Sequence, residues 1–108
     1  MTQAFRDLYS VVEQRRSEPQ EGSYTCYLFD KGLDKILKKC GEECTEMVIA
    51  AKNADKNELS NEINDLLYHM AVLMVECGVS VDDVEEIMVE RSRKIGNLKQ
   101  FHVSDHNT

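Results

Sequence analysis

The stretch KCGEECTEMVIAAKNADKNELSNEIND, Lys39 to Asp65, decides how this chain is read. It carries two short acidic motifs, Glu43-x-x-Glu46 and Glu62-x-x-Asp65, separated by turn-forming residues from Asn53 to Lys56. Residues three apart share one face of a helix, so each motif offers two carboxylates in one direction. Two such helices folded back on each other would aim four carboxylates into a single space. Acids that close repel one another unless a cation lies between them, and an all-oxygen ligand set suits a hard divalent ion such as Mg²⁺. The spacing therefore predicts a magnesium site held by Glu43, Glu46, Glu62 and Asp65. The plainer alternative is a pair of solvated acidic helix faces. Against it, both motifs border apolar stripes, the turn makes the helices antiparallel neighbours, and no basic residue interleaves Glu62 and Asp65.

Working outward, Leu33, Ile36, Leu37, Cys40, Cys44, Met47, Val48 and Ala51 recur at steps of three and four. At about 100° per residue they form one stripe, which predicts a helix from Leu33 to Asn53. Glu43 falls at the edge of that stripe, Glu46 and Lys39 just beyond it, and Glu42 toward the opposite face. Gly41 sits in mid-helix, where it costs about 1 kcal/mol relative to Ala. Asp55, with Glu58 three positions on, resembles a capping box opening a second helix from Lys56 to Cys77. Its inward residues are Leu59, Ile63, Leu66, Leu67, Met70, Leu73, Met74 and Cys77. Glu62 and Asp65 border this stripe. His69, one turn after Asp65, is either a group that orients it or a satisfied histidine on the border. From Met70 to Val75 the run MAVLMV is apolar almost all round, which predicts enclosure by neighbouring helices.

Before this hairpin, Phe5, Leu8, Tyr9 and Val12 mark an amphipathic helix over Thr2 to Ser17, ended ahead of Pro19. Ser23 is placed to cap a short helix starting at Tyr24, and Gly32 to close it. After the hairpin, Gly78 stops the second long helix, and Ser80 with Asp83 opens another. Val81, Val84, Ile87, Met88 and Ile95 form its stripe, bordered by Arg91. Residues 1–96 are expected to make one all-α domain and residues 97–108 an aperiodic tail, in which His102 and His106 have metal-compatible spacing.

A chain of 108 residues with net charge −7 and 31% charged residues reads as one globular, helix-rich domain. The acidic balance disfavours nucleic-acid binding. No apolar run approaches a membrane span and the start, MTQAFRDLYS, lacks a secretory core, so a cytoplasmic protein is expected. The four cysteines are then reduced thiols. Cys40 and Cys44 read as small buried side chains. Di-iron bundles use Glu-x-x-His pairs, but no histidine accompanies Glu43 or Glu46, which favours magnesium over iron. Lys35, Lys38 and Lys39 flank the acids, and metal plus ammonium groups suit a polyphosphate. Long helices on so short a chain predict helical hairpins completed into four-helix bundles by dimerisation.

The runs SYTCYLFDKGLDKILKKCGEECTEMVIAAK (23–52) and NEINDLLYHMAVLM (61–74) resemble the phosphoribosyl-ATP pyrophosphohydrolases of histidine biosynthesis, within the MazG-like all-α nucleotide pyrophosphohydrolases. The similarity runs from DLYSVVEQRR to the helix holding Arg91. It implies Mg²⁺-dependent hydrolysis of 1-(5-phosphoribosyl)-ATP to 1-(5-phosphoribosyl)-AMP and pyrophosphate. It also implies Glu43, Glu46, Glu62 and Asp65 as metal ligands; the mechanism expected of such a site has Glu43 or Glu46 orient or deprotonate the attacking water. Ser23, Tyr24 and Thr25 match a segment near the substrate, and Lys35, Lys38, Lys39 and Arg91 would contact phosphates. Glu42, in the same GEE motif, and His69 would stand behind the ligands. Two rival readings are a house-cleaning pyrophosphohydrolase of free nucleotides and a non-catalytic helical interaction module.

Overall fold

Four helices begin at a side chain that accepts a hydrogen bond from the first turn: Thr2 from Phe5, Ser23 from Cys26, Asp55 from Glu58 and Ser80 from Asp83. Each cap satisfies one backbone N–H that the helix itself leaves free. The computed structural model describes residues 1–94 of the chain. Its helices are α1 (Gln3–Ser17), α2 (Tyr24–Lys31), α3 (Leu33–Lys52), α4 (Lys56–Cys77) and α5 (Val81–Ser92). The architecture is all-α as the periodicity predicts, with no strand among the described residues. Among the described residues no helix is long and apolar enough to cross a membrane. Ile95, Gly96, His102 and His106, and with them the proposed tail, lie outside the described residues.

Gly32 joins α2 to α3 at φ 92°, and its N–H still closes α2 on the Leu28 carbonyl at 3.0 Å. A residue with a Cβ is strained there, which is why glycine makes this abrupt joint. Beyond the Asn53–Asp55 turn, α4 returns antiparallel to α3 in the most extensive helix contact of the chain. Residue pairs along it confirm the register: the Cys40 thiol reaches the His69 carbonyl at 3.5 Å, and Glu43 lies beside Asp65. Helix α2 lies against both. The core, formed by Phe5, Val12, Leu28, Ile36, Ala71, Val72 and Val81, sits where α1 and α2 cover one end of this hairpin.

Several burial expectations are corrected. On α3 the buried line is Ile36, Glu43 and Ala50, seven residues apart, whereas Leu33, Leu37, Cys44 and Val48 are exposed. Seven residues are close to two full turns, so this line is the seam against α4. The broad apolar stripe extends past the seam onto a face that no other described residue covers. On α4 the buried residues are His69, Ala71 and Val72, while Ile63, Met70 and Cys77 are exposed. The MAVLMV run is thus covered on one side only. Helix α5 buries Val81 alone and exposes Ile87 and Met88, because its contacts lie at its start, where Arg6 pairs with Asp82 and Glu85.

Candidate metal centre

Glu43 occupies the centre of the α3–α4 seam, where two helical repeats of Ile36 and Ala50 would favour an aliphatic side chain. It is 7% exposed. One carboxylate oxygen each from Glu43, Glu62 and Asp65 lies within 4.8 Å of the others. Glu46 stands outside that trio but against both other glutamates, whose carboxyls it raises by hydrogen bonding and charge. Burial is the main cause that lifts Glu43 above the usual carboxylate range, followed by Glu46 and then Asp65, with Lys39 opposing. Burial likewise dominates at Glu62, which is pushed up to about 7 with further contributions from Glu46, Asp65 and Glu43.

Two of the carboxylate oxygens, Glu43 Oε2 and Glu62 Oε2, are buried and have no hydrogen-bond partner. Leaving a charged oxygen unpaired away from water is costly. A hard divalent cation would satisfy both orphaned oxygens and screen the mutual repulsion of the acids, so the donor set fits Mg²⁺ in chemistry and in need.

The remaining sequence-derived residues differ in how they stand to the acids. Lys39 is at the cluster, with its ammonium 3.9 Å from Glu42 and 4.0 Å from Glu43. Glu42 is exposed and lines a shallow groove on the outer side of α3 together with Lys38 and Glu46. Lys35 is half-buried and Lys38 exposed, without an ion pair among the described residues. Arg91 is exposed on α5, whereas Lys39 opposes the upward shift of the Glu43 carboxyl. Arg91 forms no ion pair with these acids among the described residues.

The α2 residues are held by a double latch onto α4. Ser23 Oγ is engaged in capping, accepting from the Cys26 N–H at 3.2 Å. The Tyr24 hydroxyl bonds His69 Nε2 at 3.2 Å, and the adjacent Thr25 hydroxyl bonds the Tyr68 hydroxyl. His69 is 5% exposed, and its Nδ1 lies 2.8 Å from the backbone carbonyl of Asp65. It thus contacts the main chain of Asp65 rather than the carboxylate. Tyr24 stacks between Tyr27 and Tyr68 at ring separations of 6.0 and 6.2 Å. Burial, then Glu43, Tyr27 and Glu42, push its phenol up against the opposing effect of Lys39. Tyr68 was not singled out from the sequence. Its only signal was a hydroxyl-bearing aromatic next to His69 in an otherwise apolar run.

The family model described as phosphoribosyl-ATP pyrophosphohydrolase matches residues 5–92. The phosphoribosyl-ATP pyrophosphatase of Streptococcus sanguinis is 59% identical over 99 residues, covering 92% of this chain and 95% of that protein. Its Streptococcus gordonii counterpart is 64% identical over 87 residues, covering 81% and 84%. That of Clostridium botulinum is 55% identical over 92 residues, covering 85% and 84%. Matched across all the helices that build the acidic centre, this chain belongs to the phosphoribosyl-ATP pyrophosphohydrolase family.

Proposed function

We propose that this chain is a cytoplasmic, Mg²⁺-dependent hydrolase of 1-(5-phosphoribosyl)-ATP. Water cleaves the α–β phosphoanhydride to give 1-(5-phosphoribosyl)-AMP and pyrophosphate, the second step of histidine biosynthesis. The relatives described above are named phosphoribosyl-ATP pyrophosphatases, which supports the substrate and the release of pyrophosphate. The observation that carries the metal part of the reading is the pair of buried, partnerless oxygens on Glu43 and Glu62 beside Asp65.

Glu43, Glu62 and Asp65 would hold the ion, with Glu46 completing the set from the solvent side. Bound Mg²⁺ would supply positive charge to the phosphate oxygens and lower the pKa of coordinated water. The chain's own groups do the rest. Glu46 is exposed next to Glu43 and Glu62, so its carboxylate can orient the attacking water and take its proton. Lys39 is the cation nearest the acids and can stabilise charge on the departing pyrophosphate, with Lys35 and Lys38 reached by its outer phosphate.

The exposed apolar face formed by Leu33, Leu37 and Val48 of α3 with Ile63 and Met70 of α4 supports a homodimer in which a second copy covers it. The face comes from the two helices that hold the acids, and both partners would bring the same one, as two-fold association requires. Mg²⁺-dependent release of pyrophosphate from phosphoribosyl-ATP, lost in Asp65→Asn, is the expected result. Faster turnover of dUTP or ordinary nucleoside triphosphates would replace this reading with that of a free-nucleotide pyrophosphohydrolase. Retention of Mg²⁺ binding in Glu46→Gln and Asp65→Asn, without hydrolysis in the parent, would favour a non-catalytic module.

A further inference from the structure

The direction of the hydrogen bonds through His69 restricts what Tyr24 can bind. A backbone carbonyl only accepts, so the 2.8 Å contact between His69 Nδ1 and the Asp65 carbonyl requires the ring hydrogen on Nδ1. In the neutral imidazole Nε2 is then an acceptor. Its partner at 3.2 Å, the Tyr24 hydroxyl, must donate. A phenol has one hydrogen, and here it is committed to a ring that is 5% exposed. What Tyr24 retains toward solvent is an oxygen that accepts.

We infer that Tyr24 accepts a hydrogen bond from a hydroxyl of the nucleotide's sugar, and that His69 is the positioning residue that imposes this polarity. The inference rests on the nucleotide reading above. Ionised phosphate oxygens are themselves acceptors and offer nothing to such a group, so Tyr24 is excluded as a phosphate contact. The sugar hydroxyls and the exocyclic amine of adenine are the nucleotide's donors. Tyr24 is 45% exposed, and its ring is fixed by stacking on Tyr68 at 6.2 Å. Through His69 it is tied to the turn of α4 that carries Asp65, and the charges of Glu43, Glu42 and Lys39 act on its phenol, so it stands beside the acids that would hold a nucleotide's metal and phosphates.

The test compares inhibition of phosphoribosyl-ATP hydrolysis at pH 8 by ATP, 2′-deoxy-ATP, 3′-deoxy-ATP, inosine triphosphate and inorganic tripolyphosphate. In the parent protein, loss of one sugar hydroxyl is expected to weaken inhibition about threefold to tenfold, the worth of one neutral hydrogen bond. Tyr24→Phe keeps the ring and should abolish that discrimination while leaving tripolyphosphate inhibition unchanged. His69→Asn retains an amide N–H in the place of Nδ1 but removes the Nε2 acceptor, and should lose the discrimination as well. His69→Gln, with its amide able to reach the position of Nε2, should restore part of it. Equal inhibition by ATP and both deoxy forms in the parent, or discrimination that survives Tyr24→Phe, overturns the inference. Weakening by inosine triphosphate alone also overturns it, by assigning the contact to the adenine amine. Absence of phosphoribosyl-ATP hydrolysis in the parent would instead defeat the functional reading on which the inference stands.

Discussion

Glu43 holds a position that helix geometry would give to an aliphatic residue, and its burial without a partner for Oε2 makes the metal-free protein strained at that point. Glu43→Gln removes a buried charge from among three other acids. The variant should melt about 4 °C higher than the parent in chelator, equivalent to roughly 1 kcal/mol for a chain of this size. The same change should weaken Mg²⁺ binding by at least about a hundredfold, since even the partners of metal ligands are worth 10- to 100-fold. Thermal melts with and without Mg²⁺ and titration calorimetry measure the two effects. Glu62 gives a second residue-scale outcome. Its folded pKa of about 7 lies above the ordinary 4.5 of a glutamate, so between those values the folded state binds more protons than the unfolded one. Stability of the metal-free protein should therefore be fullest near pH 4.5 as far as this group is concerned, and should fall as the pH rises through 7. Saturating Mg²⁺ should remove that decline, since the ion replaces the proton. A pH series of urea melts in chelator that rises from pH 5 to 7.5 would contradict this.

At the scale of the helices, the α3–α4 turn controls whether the two acidic motifs face each other. Asp55 caps α4 through the Glu58 N–H at 3.0 Å, and only the forward half of the expected capping box is present, whereas Ser80 and Asp83 complete theirs. Asp55→Ala should cost about 1 kcal/mol in chemical denaturation. Ala54 has a left-handed backbone at φ 55°, which a Cβ disfavours by about 1–2 kcal/mol. Ala54→Gly should therefore stabilise the protein by up to about 1 kcal/mol, after the entropy lost by glycine is subtracted. Neither change touches Glu43, Glu46, Glu62 or Asp65, so Mg²⁺ affinity should stay at the parent value. Leu28, fully buried under the hairpin, is the contrasting case, and Leu28→Ala should cost about 2–5 kcal/mol. Helix bounds and caps were legible from the sequence because they depend on residues within one turn of each other. The left-handed Ala54 was not, since the neighbouring Asn53 is the residue that local preference would choose for it.

At the scale of the molecule, the described chain covers one side of the hairpin with α1 and α2 and leaves the other bare. Val48 is 56% exposed and Ile87 52% exposed. Val48→Lys should leave the fold of each chain intact and shift the protein from dimer to monomer in sedimentation at micromolar concentration. A parent that sediments as a monomer would remove the dimer from the functional reading. Arg91 belongs to this scale too. It is exposed on α5 and forms no ion pair among the described residues.

The sequence by itself determined the helices, the turn between them and the existence of four acids on facing sides, because those follow from spacings of three, four and seven along the chain. The same spacings made the apolar stripes visible but not which part of each stripe meets its neighbour. That choice depends on how the axes of α3 and α4 cross and on what α1 and α2 occupy. Only the tertiary structure therefore moved Glu43 from the edge of a stripe to the middle of a seam. It also turned His69 from the Asp65 carboxylate to the main-chain carbonyl, and set the Tyr24 hydroxyl against His69 Nε2. Local geometry sets the direction of a side chain from its own helix, and burial is decided by the helix that comes to meet it.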